Sequence, residues 1–340
     1  MGCELCCLEA WIGAKICVPK LSLKDIRAYQ LAAVERVLNY VVQSAPFYRE
    51  RFRGAPEVRS FSDFERLPLL TADELISNGQ RMLCVEQEHV CRVYTSGTTA
   101  APKRLRFTEA ELEATVEYFT EGSRQFLRRG ERALLLFPCE AENGAAQLFL
   151  RALKRLGAEG IPYGIPADGA EACRAVLETM PSLILAAPAT ALSMLACGEN
   201  LSFDTLLVSG DALSEDAARL LRERFHCDVF QQYGLTESAF GLGVDCRAFH
   251  GYHLRETDYY VEIADEKGKA LPTGEFGRVV ITSLLCGAMP LIRYDTGDIG
   301  RYLSEPCACG SVLPLLDRIR PRDVAKGYHG GSDSPAVPGR

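Results

Sequence analysis

Three stretches of this chain combine residue types that handle phosphate. The first, "VYTSGTTAAPKRL" at 93–105, packs hydroxyls, a glycine and a lysine into one short run. Val93 and Tyr94 read as a strand end, and Thr108 with Glu111 three residues on reads as a capping box that opens a helix. A polar loop between strand and helix suits an anion, because loop amides and the helix N-terminus point at it. It is not a Walker loop, since G-x-x-x-x-G-K-[ST] is absent. The second stretch, "VFQQYGLTESAFG" at 229–241, sets Tyr233, Gly234, Thr236 and Glu237 after an apolar strand. A hydroxyl and a carboxylate there can hold a phosphate and its Mg²⁺. The third, "PLIRYDTGDIGRY" at 290–302, offers Asp298 in a tight glycine-flanked turn. A carboxylate so placed can accept both hydroxyls of a ribose. Polar turns on a sheet edge use the same residue types, so no single stretch decides.

The elements that must position these residues follow from periodicity. Residues 25–43 carry Ile26, Tyr29, Ala33, Val37 and Val41 on one helical face. Thr71 above Glu74 caps a short helix. From 131 onward, apolar runs at 133–138, 182–187 and 205–209 alternate with helical stretches that include 145–156 and 214–225. That alternation predicts parallel strands in a layered α/β domain. After about residue 245 the pattern turns antiparallel, with strands over 259–264 and 278–283. The expected division is an N-terminal segment over 1–24, a main domain over 25–320 with its β-rich subdomain from about 245, and a disordered Gly/Ser/Pro-rich tail over 321–340.

Composition narrows the class. With 47% hydrophobic and 24% charged residues, the 340-residue chain has the make-up of a globular α/β protein. A net charge of −7 gives no reason to expect a nucleic-acid surface. No apolar run reaches the ~20 residues needed to span a bilayer, and the N-terminus makes a poor signal peptide. Fourteen cysteines in a chain with this much core point to a reduced, cytoplasmic setting rather than a disulfide framework.

Together and in this order, the three stretches resemble the adenylate-forming superfamily of acyl-CoA ligases and adenylation domains. The resemblance is to phenylacetate-CoA ligases and coenzyme F390 synthetases above all. It runs over roughly 25–320 and takes in "SAPFYRERF", "FERLPLLTADEL" and "TGEFGRVVITSL". It implies that Ser96, Gly97, Thr98, Thr99 and Lys103 grip the β- and γ-phosphates of ATP. It implies that Ser209, Gly210 and Asp211 lie along the adenine, that Tyr233 stacks on or lines that pocket beside Gly234, and that Asp298 binds ribose. Thr236 is expected on the α-phosphate, Glu237 on Mg²⁺, and Arg318 on ribose or phosphate. The implied reaction turns a carboxylic acid, an aryl acid by family analogy, into acyl-AMP, with CoA as the next acceptor. A carboxylate that is already ionised needs no side-chain nucleophile.

The chain departs from that pattern twice. Ala100 stands where the family has glycine, which implies a stiffer loop. Family members also continue past "RIRPR" with a mobile domain that delivers a lysine. Here 20 residues follow Arg320, and Lys326 among them lacks that domain's motif. A separate lid protein is therefore an expected partner, besides the small-molecule acid, and a homodimer is a further expectation. Neither nucleic acid nor membrane is expected. The rival readings are a nucleotide-binding scaffold that has lost turnover, and an adenylation module that works only with its lid.

A second chemistry is written in "VDCRAFHGYHLRE" at 244–256 and "PCACGS" at 306–311. Cys-x-Cys-Gly aims two thiolates at one ion, and Cys246 and His253 complete with Cys307 and Cys309 a Cys₃His set suited to structural Zn²⁺. His250 is the alternative nitrogen donor, and unrelated cysteines near a turn are the alternative to a metal site. Cys3 and Cys6 have metal spacing, but with no second pair nearby they read as disordered or buried thiols.

Overall fold

A computed structural model describes residues 6–94, 103–198 and 200–320. The N-terminal part is helical: α1 (Cys7–Lys15), α2 (Leu23–Ser44), α3 (Pro46–Phe52), α4 (Phe61–Phe64) and α5 (Ala72–Asn78). The hairpin β1 (Cys91–Tyr94) and β2 (Arg104–Phe107) leads into α6 (Glu109–Ser123). Alternation then sets in with β3 (Arg132–Leu136), α7 (Ala145–Leu156), β4 (Glu159–Pro162), α8 (Gly169–Thr179), β5 (Leu183–Ala186), α9 (Pro188–Ser193), β6 (Thr205–Ser209), α10 (Glu215–Phe225) and β7 (Asp228–Tyr233). Six short strands close the described chain: β8 (Gly243–Asp245), β9 (Tyr252–Leu254), β10 (Tyr259–Ala264), β11 (Gly277–Ser283), β12 (Tyr294–Gly300) and β13 (Leu315–Leu316).

The expected α/β class is the one observed, and the caps form as their residues dictate. Thr71 with Glu74 and Thr108 with Glu111 make full capping boxes, and Ser22 with Asp25 adds one at the start of α2. On α2, Ile26, Ala33, Val37 and Val41 are buried, as the spacing requires.

The main sheet has eight strands in the order β13-β9-β8-β7-β6-β5-β3-β4. From β4 to β7 every neighbouring pair is parallel. β3, β5, β6 and β7 are buried on both faces, so successive residues feed two different cores, while β4 is the exposed edge. Ala133, Leu135, Leu183, Leu185 and Leu207 join the core that contains α2, α6 and α7. Leu134, Leu136, Ile184, Ala186, Leu206 and Val208 join the core under α8, α9 and α10. Each fully buried Leu, Ile or Val contributes about 1.5–3 kcal/mol, which makes this double layer the rigid platform of the molecule. The chain order reverses about β3, so α7 and α8 fall on opposite faces.

Two details differ from the sequence expectation. The antiparallel style after residue 245 does not mark a separate layer throughout, because β9 and β13 extend the main sheet while β10-β11-β12 form a second, three-stranded one. Asp298 was expected in a tight turn but lies within β12, paired to β11. The turn-like residues make an irregularity in the ladder instead. Gly297 takes a φ of 84°, Gly297 N–H donates to Asp295 Oδ1, and Asp298 N–H donates to Thr296 Oγ1. The β11–β12 register shifts between Arg278 and Val280. Cys6 is buried at the head of α1, whereas Cys3 and the tail 321–340 lie outside the described residues.

Candidate active site

A cleft opens at the carboxyl ends of β6 and β7, where Ser209 is paired with Gln232. Gly210, Asp211, Tyr233, Gly234, Tyr252 and Asp298 line it. Ligands in open α/β sheets bind at this edge because the strand-to-helix loops leave polar backbone there. Gly210 has a φ of +97°, and Ser209 Oγ donates to Gln232 Oε1 at 3.1 Å. A Cβ on Gly234 would meet the Phe240 carbonyl oxygen at 2.0 Å, so only glycine lets the 235–240 loop fold back. That loop is held by Phe240 N–H to Leu235 O at 2.7 Å and Leu242 N–H to Tyr233 O at 3.0 Å. It presents Thr236 and Glu237 in a single 3₁₀ turn over Thr236–Ser238.

Four of the expected side chains meet in two pairs, through hydrogen bonds or charge. The Tyr233 hydroxyl donates to Asp298 Oδ2 at 2.8 Å. Burial pushes the Asp298 carboxyl above the ordinary carboxylate range, and the Tyr233 hydroxyl pulls it partly back. Glu237 is 6% exposed, and its Oε1 accepts from Lys103 Nζ at 2.6 Å and from the Tyr294 hydroxyl at 2.8 Å. Burial, then the Glu237 charge, drive the Tyr294 phenol up, so it stays protonated and donates. The hard oxygens of Glu237 and Thr236 are the donor type Mg²⁺ takes.

Arg318 is placed differently from the others. Its guanidinium forms a 2.7 Å ion pair with Asp245 and lies 4.8 Å from the centre of the Tyr252 ring. Asp245 Oδ2 also accepts from Gln231 N–H at 2.7 Å, so this half-buried pair ties β7, β8 and the segment just past β13 together beside Tyr252. Ser96, Gly97, Thr98, Thr99 and Ala100 lie outside the described residues. Sequence reasoning missed Tyr252, Asp245 and Tyr294. Tyr294 sits inside a stretch already singled out, four residues before Asp298, but a phenol facing a carboxylate 57 residues away leaves no local signal.

Beside the cleft, Cys246, His253, Cys307 and Cys309 converge, all buried, with their ligand atoms within 4.8 Å of one another. Cys246 Sγ is 3.5 Å from Cys307 Sγ, and Cys309 Sγ is 3.4 Å from His253 Nε2. Tetrahedral coordination with bonds near 2.3 Å sets ligands roughly 3.8 Å apart, so these spacings suit one Zn²⁺. The Ala248 and Cys309 amides donate to Cys246 Sγ and Cys307 Sγ, as thiolates require. Without a cation the pocket favours neutral groups. Burial raises the Cys246 thiol, lifts Cys309 to about 11, and lowers His253 to about 4. The alternative donor His250 is exposed and apart from the cluster.

Comparison with known proteins points the same way. A sequence model of AMP-binding enzymes matches residues 13–286. The chain is 28% identical over 335 residues to a phenylacetate-coenzyme A ligase of Thermus thermophilus, covering 91% of this chain and 74% of that protein. It is 25% identical to the phenylacetate-coenzyme A ligase of Escherichia coli K12, covering 88% and 72%. Among solved structures, 2-hydroxyisobutyryl-CoA ligase in an open conformation with 2-HIB-AMP and CoA superposes with a TM-score of 0.82 at 21% identity, over 93% of this chain and 79% of that one. At that identity the likeness is one of fold.

Proposed function

We propose a function from the premise that this chain belongs to the AMP-binding enzyme family, in its phenylacetate-coenzyme A ligase-like branch: it activates a carboxylic acid with ATP as acyl-AMP and passes the acyl group to CoA. The observation that carries this reading is the convergence of Tyr233, Asp298, Glu237 and Lys103 on the cleft at the β6–β7 edge.

Each residue has a task. Asp298, oriented by Tyr233, accepts the ribose hydroxyls. Gly210 and Asp211 lie along the base, and the Tyr233 ring walls it. Thr236 donates to the α-phosphate. Glu237 would hold Mg²⁺, which when bound would supply neutralisation of the triphosphate charge. The acid's carboxylate oxygen attacks the α-phosphorus, a new P–O bond forms, and the bond to the β-phosphate breaks to release pyrophosphate. Ser96, Gly97, Thr98 and Thr99 are assigned to the β- and γ-phosphates by the family resemblance alone. An apolar pocket lined by Tyr118, Phe119, Phe126, Phe149 and Leu207 shares Gln232 with the cleft, which suits it to the acid's organic part. It holds only about 10 Å³, so these side chains must part to admit an aryl ring. Zn²⁺ in the Cys₃His cluster is structural in this reading, because four protein ligands leave no open position.

Acid-dependent pyrophosphate–ATP exchange over a panel of aryl and aliphatic acids tests the activity. Exchange should appear with at least one acid and fall by about 10²–10³ in Glu237→Gln, which keeps the shape but not the charge. Exchange that is equal in both proteins would move the metal role away from Glu237. No exchange with any acid, despite bound ATP, would favour the scaffold or lid-dependent reading, and adding a candidate lid protein would separate those two.

A further inference from the structure

Glu237 is paired with a cation of the protein itself. Lys103 Nζ lies 2.6 Å from Glu237 Oε1, with the two side chains 25% and 7% exposed. The same ammonium is 5.7 Å from the centre of the Tyr294 ring, whose hydroxyl donates to the same oxygen. Two donors therefore fix Oε1, while among the described residues no partner contacts Oε2. Tyr294 is fully buried and its backbone bridges to Leu70, so this anchor is held by the core. Lys103 is held differently. It stands just ahead of β2, at the connecting end of the β1–β2 hairpin beside the Tyr94–Arg104 pair, on a long side chain.

We propose that Lys103 is an internal counter-cation that keeps the divalent-cation site of Glu237 shut until a polyphosphate draws the ammonium away, so that metal and nucleotide enter together. This rests on the reading of the cleft as a nucleotide site. The physical argument is charge balance. In a half-buried site a divalent cation beside an ammonium meets repulsion that solvent screens poorly. A triphosphate offers Lys103 a stronger anion and supplies the metal with further oxygens. Both changes favour exchange of partners: lysine to phosphate, Mg²⁺ to Glu237. Free metal then does not occupy the site ahead of substrate, and free Lys103 is not left unpaired.

The test is Mn²⁺ binding to the full chain followed by electron paramagnetic resonance, without nucleotide. Wild type and Lys103→Arg should bind Mn²⁺ weakly, and Lys103→Met should bind it about tenfold or more tightly at this site. The gain should vanish in Lys103→Met with Glu237→Gln, which separates it from the cysteine cluster and from surface carboxylates. ATP affinity should move the other way and fall in Lys103→Met. Equal Mn²⁺ affinity in wild type and Lys103→Met would overturn the proposal while leaving nucleotide binding intact. Failure of ATP to bind wild type would overturn the nucleotide reading instead, whatever Mn²⁺ does.

Discussion

At His253 the environment, not the residue type, sets behaviour. Its ring is buried, its Nδ1 has no partner among the described residues, and burial lowers its pKa to about 4 from 6.5. Between those values the unfolded chain holds a proton that the fold refuses. The stability contributed by His253 is therefore complete above 6.5 and is lost as the pH falls towards 4. A bound Zn²⁺ acts in the same direction, since protons compete for its ligands. Melting temperature measured from pH 7 to 4 should drop, and His253→Asn should flatten that slope; an unchanged slope would remove His253 from the account. At this scale the sequence was legible where one residue type does one job. Glu237, Asp298 and the cysteines stand out as candidates by residue type alone. Tyr252, Asp245 and Tyr294 do not, because their roles come from strands that meet only after folding.

The elements explain why these residues meet. β8, β9 and β13 are two or three residues long, too short to be set by their own ladder. β8 ends at Asp245 with Cys246 next in the chain, β9 carries Tyr252 and His253, and the Cys307–Cys309 turn is fixed beside them by Glu9 of α1, which accepts from Ser311 Oγ and Val312 N–H. A metal ion held by the cluster would staple these weak strands to one another beside α1. Cys309→Ser should release zinc and lower the melting temperature while leaving ATP affinity largely intact, because Asp298 and Glu237, proposed for ribose and Mg²⁺, sit on β12 and in the turn after β7. A zinc content near zero in protein prepared without chelator would contradict this at once. Periodicity revealed the long parallel strands and amphipathic helices. It could not reveal β12, whose Thr-Gly-Asp reads as a turn and forms a bulge, nor that the antiparallel strands past 245 divide between two sheets.

Over the whole molecule, the double-sided parallel sheet is the rigid part, and the cleft lies where its strands end against the smaller antiparallel sheet. β7 supplies Tyr233 and β12 supplies Asp298, so the 2.8 Å bond between them joins the two sheets across the site. A ligand that bonds to Asp298 should stabilise both at once. The most direct measurement is calorimetric titration of ATP with Mg²⁺ into wild type and Asp298→Ala. The account predicts one site per chain in wild type and loss of most of the affinity in the variant, since each ribose hydrogen bond to a charged acceptor contributes about 1.5–3 kcal/mol. Equal binding by the two proteins, or no binding by wild type, would contradict it.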